Sequence, residues 1–443
     1  MKRFSNQIEK QVIPSETLKR RKDRLVEQIV HLVEIETAKY PQVVGIELGG
    51  SFAKGTWLAH KADVDIFVRF KTDVPEKEFV ELGKKIGFAS LRNYKPYVRY
   101  AEHPFVEATI GDTKVNLVPC YDVEEGKWKS SADRSPFHTR FMIRSLTAQM
   151  KNEVRILKWF LKCNGIYGAE IAKQGFSGYV TEVLVLSFGT FEGVLKAISR
   201  LRQGQVIGNA SKQFDSQIVI MDPIDPNRNL GAAISNENLG RFVLLARAFL
   251  KNPSPRFFTQ KKIKAVPKKK LGNVLVVEFE YRKRSPDIIW GQLKRAASSI
   301  ATQIDQEGFT VLRKSAFASE GSAALLFFLQ STTLNEHRLR IGPDVFVEEH
   351  AAKFVASNKK KSVSMWINDE GKICSLQKRT QHDAFLFVKE LLKRNLKTAG
   401  ISVGLQDDMK RFRVISGDAI TSKSIKEAAS ELVSTDETVF SSH

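Results

Sequence analysis

The sequence predicts a multidomain α+β protein, and three observations carry that reading. The chain has 443 residues, too many for one core and enough for about three domains. Strand and helix patterns alternate up to residue 145, a wholly helical stretch follows to about Gln203, and strand patterns then return. Apolar residues make up 42% and charged residues 27%, a balance that buries a core and excludes a disordered chain.

The elements follow in order. Ser15 after Pro14 reads as an N-cap, and Leu18, Leu25, Ile29 and Leu32 then recur at helical spacing towards Tyr40. Val43 to Leu48 reads as a strand, broken by Gly49, Gly50 and Ser51, which open a short helix ending near Leu58. Val64 to Phe70 is the next strand. Asp73 and Pro75 start a helix with Phe79, Leu82 and Ile86 on one face. Three strands follow over 97–101, 105–110 and 113–119, the last two joined by the tight-turn pair Gly111-Asp112. The first part is therefore a small α+β domain with a mixed sheet. Asn152 to Asn164 is a helix stopped by Gly165, and an apolar helix follows Ser177. Strand and turn signals return over 216–229, then a helix over 236–250. Lys261 to Lys270 reads as a basic linker or exposed loop. Val274 to Tyr281 reads as a half-buried strand, 286–306 as a helix, and 309–317 and 323–330 as strands. From Thr421 on the chain is polar and is expected to be loosely held.

The formal net charge is +21, with basic clusters at Lys19–Lys22, Lys261–Lys270 and Lys359–Lys361. Such an excess points to a polyanionic partner, nucleic acid first. Cys120, Cys163 and Cys374 are far apart and lack CxxC spacing, which excludes a disulfide framework and a zinc site. No secretory signal opens the chain and no uncharged apolar run has the length of a membrane span, so a cytoplasmic protein without a membrane is expected.

The chemistry is concentrated in LGGSFAKGTWLAHKADVDIFVRF, Leu48 to Phe70. In a strand, residues two apart share a face, so Asp63 and Asp65 project side by side. Two like charges held together call for a cation, typically Mg²⁺, a hard ion that takes carboxylates and leaves positions for phosphate oxygens. DxD alone is more often a solvated strand end. Upstream, a strand followed by Gly49, Gly50, Ser51 and a helix start offers N–H groups and a hydroxyl to an anion. The segment is not a Walker A loop, because no Lys-Ser follows Gly55. A phosphate cradle before a carboxylate strand is a more specific pattern than either part.

That combination resembles the nucleotidyltransferase superfamily that includes DNA polymerase β. The longer resemblance is to the archaeal (class I) CCA-adding enzymes, tRNA nucleotidyltransferases. It runs in order through Gly50–Leu58, Asp63–Phe70, Arg99–Val106, Leu117–Tyr121, Asp133–His138, Asn152–Glu170, Gly175–Tyr179, Asp222–Asn229, Leu312–Phe317 and Ile341–Pro343. The resemblance implies template-independent addition of C, C and A to tRNA 3′ ends from CTP and ATP. It also implies four parts: a polymerase β-like head with a mixed sheet (1–147), a helical neck (148–205), an α+β body (206–283 with 386–443) and a tRNA-binding tail (284–385). Mg²⁺ is the implied cofactor, the tRNA 3′ end and acceptor arm the implied partner, and a homodimer the implied assembly. Residue by residue, Asp63 and Asp65 match two of three catalytic, metal-holding carboxylates. Gly50, Ser51, Lys54, His138, Lys158 and Tyr167 match nucleotide-binding positions, and Arg228 an arginine that helps select the incoming base. Lys54 stands where the family usually has arginine, which keeps a point charge but loses the bidentate fork.

The third carboxylate position, three residues before Pro119, holds Asn116. Asparagine keeps the shape and one carbonyl oxygen but loses charge and basicity. Either the protein is impaired, or an aspartate has been replaced to stall chemistry, and the intact remainder of the motifs favours replacement. The competing readings are a catalytically silent RNA-binding paralogue and a poly(A)-adding polymerase.

Overall fold

A computed structural model describes residues 8–60, 62–99, 104–260 and 266–440. Parts of two expectations, the strand and motif over 97–106 and the basic run Lys261–Lys270, fall in 100–103 and 261–265, outside the described residues. The chain divides into two compact units, Met1–Lys262 with Asp436–His443, and Ile263–Thr435. The division falls within the 206–283 segment assigned above to the body.

The first unit opens with helix α1 (Glu16–Thr37), whose N-terminus is capped as expected: Leu18 N donates to Ser15 Oγ at 3.2 Å. Strand β1 (Val43–Gly49) leads into helix α2 (Gly50–Lys54). This helix is shorter than expected, because Gly55 takes a left-handed conformation (φ +69°) and ends it after five residues. Strand β2 (Asp63–Phe70), helix α3 (Glu76–Ser90), and strands β3 (Tyr97–Arg99), β4 (Phe105–Ile110) and β5 (Thr113–Tyr121) complete the first domain. The sheet order is β1-β2-β5-β4-β3. β5 runs parallel to β2 and antiparallel to β4, which makes the sheet mixed. Its apolar face carries Val64, Ile66, Val115, Leu117 and Val106, packed beneath α1 and α3 through Val26, Ile29, Phe79 and Ile86.

Helices α4 (Arg134–Ser145), α5 (Ala148–Cys163), α6 (Gly178–Phe188) and α7 (Phe191–Ser199) follow, then strands β6 (Gln205–Ile207), β7 (Ile218–Asp222) and β8 (Asp225–Asn229) and helix α8 (Asn236–Lys251). Their shared core centres on Phe160, which is fully buried and has Phe191, Phe242, Phe249, Phe257 and Phe258 within 6.4 Å between ring centroids. Among the described residues no single helix is long and apolar enough to cross a membrane. All three cysteines are buried and free.

The second unit contains strand β9 (Val274–Glu280), helix α9 (Pro286–Glu307), strands β10 (Val311–Ser319), β11 (Ser322–Leu329) and β12 (His337–Asp344), helix α10 (Glu348–Asn358), strands β13 (Ser362–Ile367) and β14 (Lys372–Lys378), helix α11 (Ala384–Arg394), strand β15 (Phe412–Ser416) and helix α12 (Lys423–Val433). Two expectations need correction here. β9 is buried on both faces, not one: it is an inner strand in the order β10-β11-β9-β15. Leu275, Val277 and Phe279 pack towards α9, while Val274 and Val276 pack towards α12. The stretch over 423–433 is not loose, because Ile425, Ala429 and Leu432 recur on one face of α12 and close that second core. β12, β14 and β13 form a separate three-stranded sheet.

Phe160→Ala should cost about 3–5 kcal/mol, the usual range for a buried aromatic truncation. The check is the urea midpoint of the transition that reports on the first unit, followed by tryptophan fluorescence.

Candidate active site

The site begins with strand register. Alternation places Val64, Val115 and Leu117 in the core and leaves Asp63, Asp65 and Asn116 on the opposite face. The parallel pairing sets Asp65 directly beside Asn116. Asn116 Nδ2 donates to Asp65 Oδ1 at 2.8 Å. Asn116 Oδ1 is buried and meets no hydrogen-bond donor. Burial pushes the Asp65 carboxyl above its ordinary value; the Asn116 bond opposes this and the neighbouring Asp63 charge adds to it. A cation on this face would relieve both the burial penalty and the repulsion. The donors present, two carboxylates and an orphaned amide oxygen, are hard oxygens of the kind Mg²⁺ takes. They fit such an ion in type, with one negative charge fewer than three carboxylates would give. Among the described residues no group of three or more His, Cys, Asp or Glu side chains gathers to hold a metal, consistent with an amide standing in the third place.

The turn after β1 packs against the same carboxylates. Gly50 is left-handed (φ +66°), and a Cβ built there would overlap Asp65 Oδ2. Only glycine lets the backbone pass so close. Ser51 follows, half-buried on α2.

Two further carboxylates organise the remaining residues. The first is Glu182 of α6, fully buried. It pairs with Lys54 and, at 3.0 Å, with Lys158, and accepts from Thr56 Oγ1 at 2.6 Å. Burial alone would raise the Glu182 carboxyl, but Lys54 and Lys158 hold it well below the usual carboxylate range. Burial brings the Lys158 ammonium down to about 8, with Glu182 opposing. The Tyr167 hydroxyl lies beside this group: a Cβ on Gly178 would be 3.0 Å from it and 3.6 Å from Lys158 Nζ. Burial raises the Tyr167 hydroxyl pKa, so it stays a neutral donor.

The second is Asp222, at the end of β7. His138 Nε2 lies 2.8 Å from Asp222 Oδ2, Arg228 Nη1 donates to the same oxygen at 3.0 Å, and the Tyr179 hydroxyl donates to Oδ1 at 3.0 Å. Burial lowers the His138 pKa against the pull of Asp222, which favours the neutral imidazole at neutral pH. Tyr179 joins the two groups. Its ring lies 3.9 Å from that of His138 and 5.4 Å beneath the Lys54 ammonium.

The structure thus gathers the expected residues into three clusters: Gly50, Asp63, Asp65 and Asn116; Lys54, Lys158 and Tyr167 around Glu182; His138 and Arg228 around Asp222. Lys54 is buried against Glu182 and not held out to solvent. Sequence reading missed Thr56, Tyr179 and Glu182. A signal for Glu182 was available, since it is the one charged residue in the apolar helix GYVTEVLVLSF.

Three family models match the chain: a nucleotidyltransferase domain over residues 31–140, the second domain of tRNA nucleotidyltransferase over 152–259, and the C-terminal domain of CCA-adding enzyme over 272–417. Curated CCA-adding enzymes match at length. The protein from Saccharolobus islandicus is 34% identical over 377 residues, 84% of this chain and 89% of its own. That from Sulfurisphaera tokodaii is 36% identical over 79% of this chain and 83% of its own. That from Pyrobaculum islandicum is 36% identical over 78% and 84%.

Glu182→Gln removes the anion between two buried ammonium groups and should destabilise the first unit by roughly 3–5 kcal/mol. The sign of the pH effect follows from the low folded-state pKa. The stability that Glu182 adds is full above its ordinary 4.5 and is lost as the pH falls below that. Thermal melts of both proteins between about pH 7 and pH 3 should therefore converge towards acid.

Proposed function

We propose that this chain, which belongs to the archaeal CCA-adding enzyme family and is a tRNA nucleotidyltransferase, adds C, C and A in turn to tRNA 3′ ends from CTP and ATP. The observation that carries the site assignment is the placing of Asp63, Asp65 and Asn116 together on one sheet face, with Asn116 Oδ1 buried and lacking a donor. Nucleotidyltransferases of this kind use divalent metal ions. Here Asp63, Asp65 and the Asn116 carbonyl oxygen would hold Mg²⁺. When bound, the ion supplies polarisation of the nucleotide phosphate oxygens and a more acidic tRNA 3′-hydroxyl.

The protein's own groups divide the remaining work. Lys54 and Lys158 give two positive charges against the single negative charge of Glu182, so the cluster keeps a surplus for a triphosphate. Tyr167 and Ser51 add hydroxyl donors. Gly50 keeps the turn close to Asp65, so phosphate oxygens and carboxylates can share one small space. Asp222 orients Arg228, whose guanidinium offers donors to acceptors on cytosine and adenine, and His138 braces the same carboxylate. The reaction forms a bond from the tRNA 3′-oxygen to the α-phosphorus and releases pyrophosphate. The head, neck, body and tail fill 1–147, 148–205, 206–283 with 386–443, and 284–385, and the tail holds the tRNA. The protein works in the cytoplasm.

Asn116 weakens this chemistry. It lacks the charge to hold the ion tightly and the basicity to take the 3′-hydroxyl proton. General-base help alone is worth about 10² to 10⁴ in rate, so Asn116→Asp should raise single-nucleotide addition by at least that range. The assay is end-trimmed tRNA with CTP and ATP across a Mg²⁺ titration. Ordered C, C, A addition by the Asn116→Asp form supports the proposal. No addition by either form would make the chain a silent RNA-binding protein, and a long A tail without C would make it a poly(A)-adding polymerase. Full activity of the chain with Asn116 would place the third ligand elsewhere.

A further inference from the structure

The sheet face that carries Asp63 and Asp65 extends across β5 and β4, and the side chains standing there form a small charged grid. In one row, Asp65 is in register with Asn116, Asn116 with Glu107, and Glu107 with Tyr97. In the next row, Asp63 is in register with Lys114, and Lys114 with Thr109. Lys114 therefore stands between two carboxylates on one surface. Asp63 is its direct neighbour across one strand boundary, at a strand spacing of roughly 4.8 Å. Glu107 is its diagonal neighbour across the other, a separation that long side chains span.

The ammonium is found on the Glu107 side: Lys114 Nζ lies 3.1 Å from Glu107 Oε1. Glu107 is itself fixed. Its side chain is 5% exposed, it accepts from the Tyr97 hydroxyl, and Arg99 Nε lies 3.8 Å from Oε2. The buried, held member of the pair is the glutamate, and the half-exposed, adjustable member is the lysine. A lysine stem that fails to meet Glu107 is long enough to turn to Asp63 instead.

We propose that Glu107 is a positioning residue: it holds Lys114 off the Asp63–Asp65 pair, so that this lysine does not compete there with a divalent cation. The proposal rests on the cation-binding reading of this face given above. A tethered ammonium has an effective concentration of order millimolar, comparable to the divalent ion it would displace. With an amide at Asn116 the face has little negative charge to spare, so an internal lysine counts for more.

The test is Mn²⁺ binding to the full-length protein with CTP, reading free Mn²⁺ by electron paramagnetic resonance, in the Asn116→Asp form as host. Glu107→Gln should weaken Mn²⁺ binding by about tenfold or more, one pair of charges having been exchanged for another. Lys114→Met alone should leave binding unchanged or tighter. The double variant, Glu107→Gln with Lys114→Met, should recover the binding of the host. If Glu107→Gln does not fold, as judged by its melting curve, Glu107→Asp keeps the charge, shortens the tether and should show the same ordering at smaller size. Unchanged binding in the Glu107 variants overturns the inference. So does a loss that Lys114→Met fails to recover, which would make Glu107 a ligand of the ion itself. If the host binds no Mn²⁺ and adds no nucleotide, the reading of the face fails. If it does both and the recovery is absent, only this inference falls.

Discussion

The parallel pairing of β2 with β5 is the interaction on which the candidate site depends. It fixes which residues share a face, and it does so twice. On one side it aligns Val64, Ile66, Val115 and Leu117 into the core beneath α1 and α3. On the other it aligns Asp63 with Lys114 and Asp65 with Asn116. The apolar face sets the register, because a slip of one residue would bury the carboxylates and expose the valines. The polar face inherits its geometry from that choice. Gly50 depends on the same register, since the turn after β1 can pass Asp65 only while that carboxylate is where the pairing puts it.

Charge is then balanced cluster by cluster. Glu182 sits between Lys54 and Lys158, Asp222 gathers His138, Tyr179 and Arg228, and Glu107 gathers Tyr97, Arg99 and Lys114. Each buried anion spends its acceptor capacity on groups that would otherwise be loose, flexible cations or hydroxyls. The cost of burying a carboxylate is accepted where it holds two or more donors in place. Asp63 and Asp65 differ in kind: they lie together, and the Asp65 carboxyl is pushed upward by burial, with Asp63 adding to the rise. Glu182, Asp222 and Glu107 each have a cation within contact distance, whereas the side chain hydrogen-bonded to Asp65 is the neutral amide of Asn116.

Much of this was legible in the sequence. Alternation in DVDIFVRF and TKVNLVPCY gave the shared face, the Gly-Gly-Ser break gave the turn, and Gly111-Asp112 gave the hairpin that brings β4 back along β5. What was not legible depended on partners far away in the chain. Nothing local says that Glu182 meets Lys54, 128 residues earlier, or that Asp222 meets His138, 84 residues earlier. The same limit explains the misread strand β9. Its alternating end suggested one wet face, but α9 and α12 cover both sides, and α12 lies in a stretch whose polar residues hid the spacing of Ile425, Ala429 and Leu432.

The asparagine at position 116 can be understood from both sides of this balance. Its Nδ2 donates to Asp65, so it stabilises the carboxylate pair in the absence of any ion. An aspartate in its place would bring a third negative charge within hydrogen-bond distance of Asp65 and could donate nothing while ionised. The face would then repel itself until a cation filled it. Asparagine replaces that repulsion with a satisfied hydrogen bond, so the face is easier to hold together without an ion.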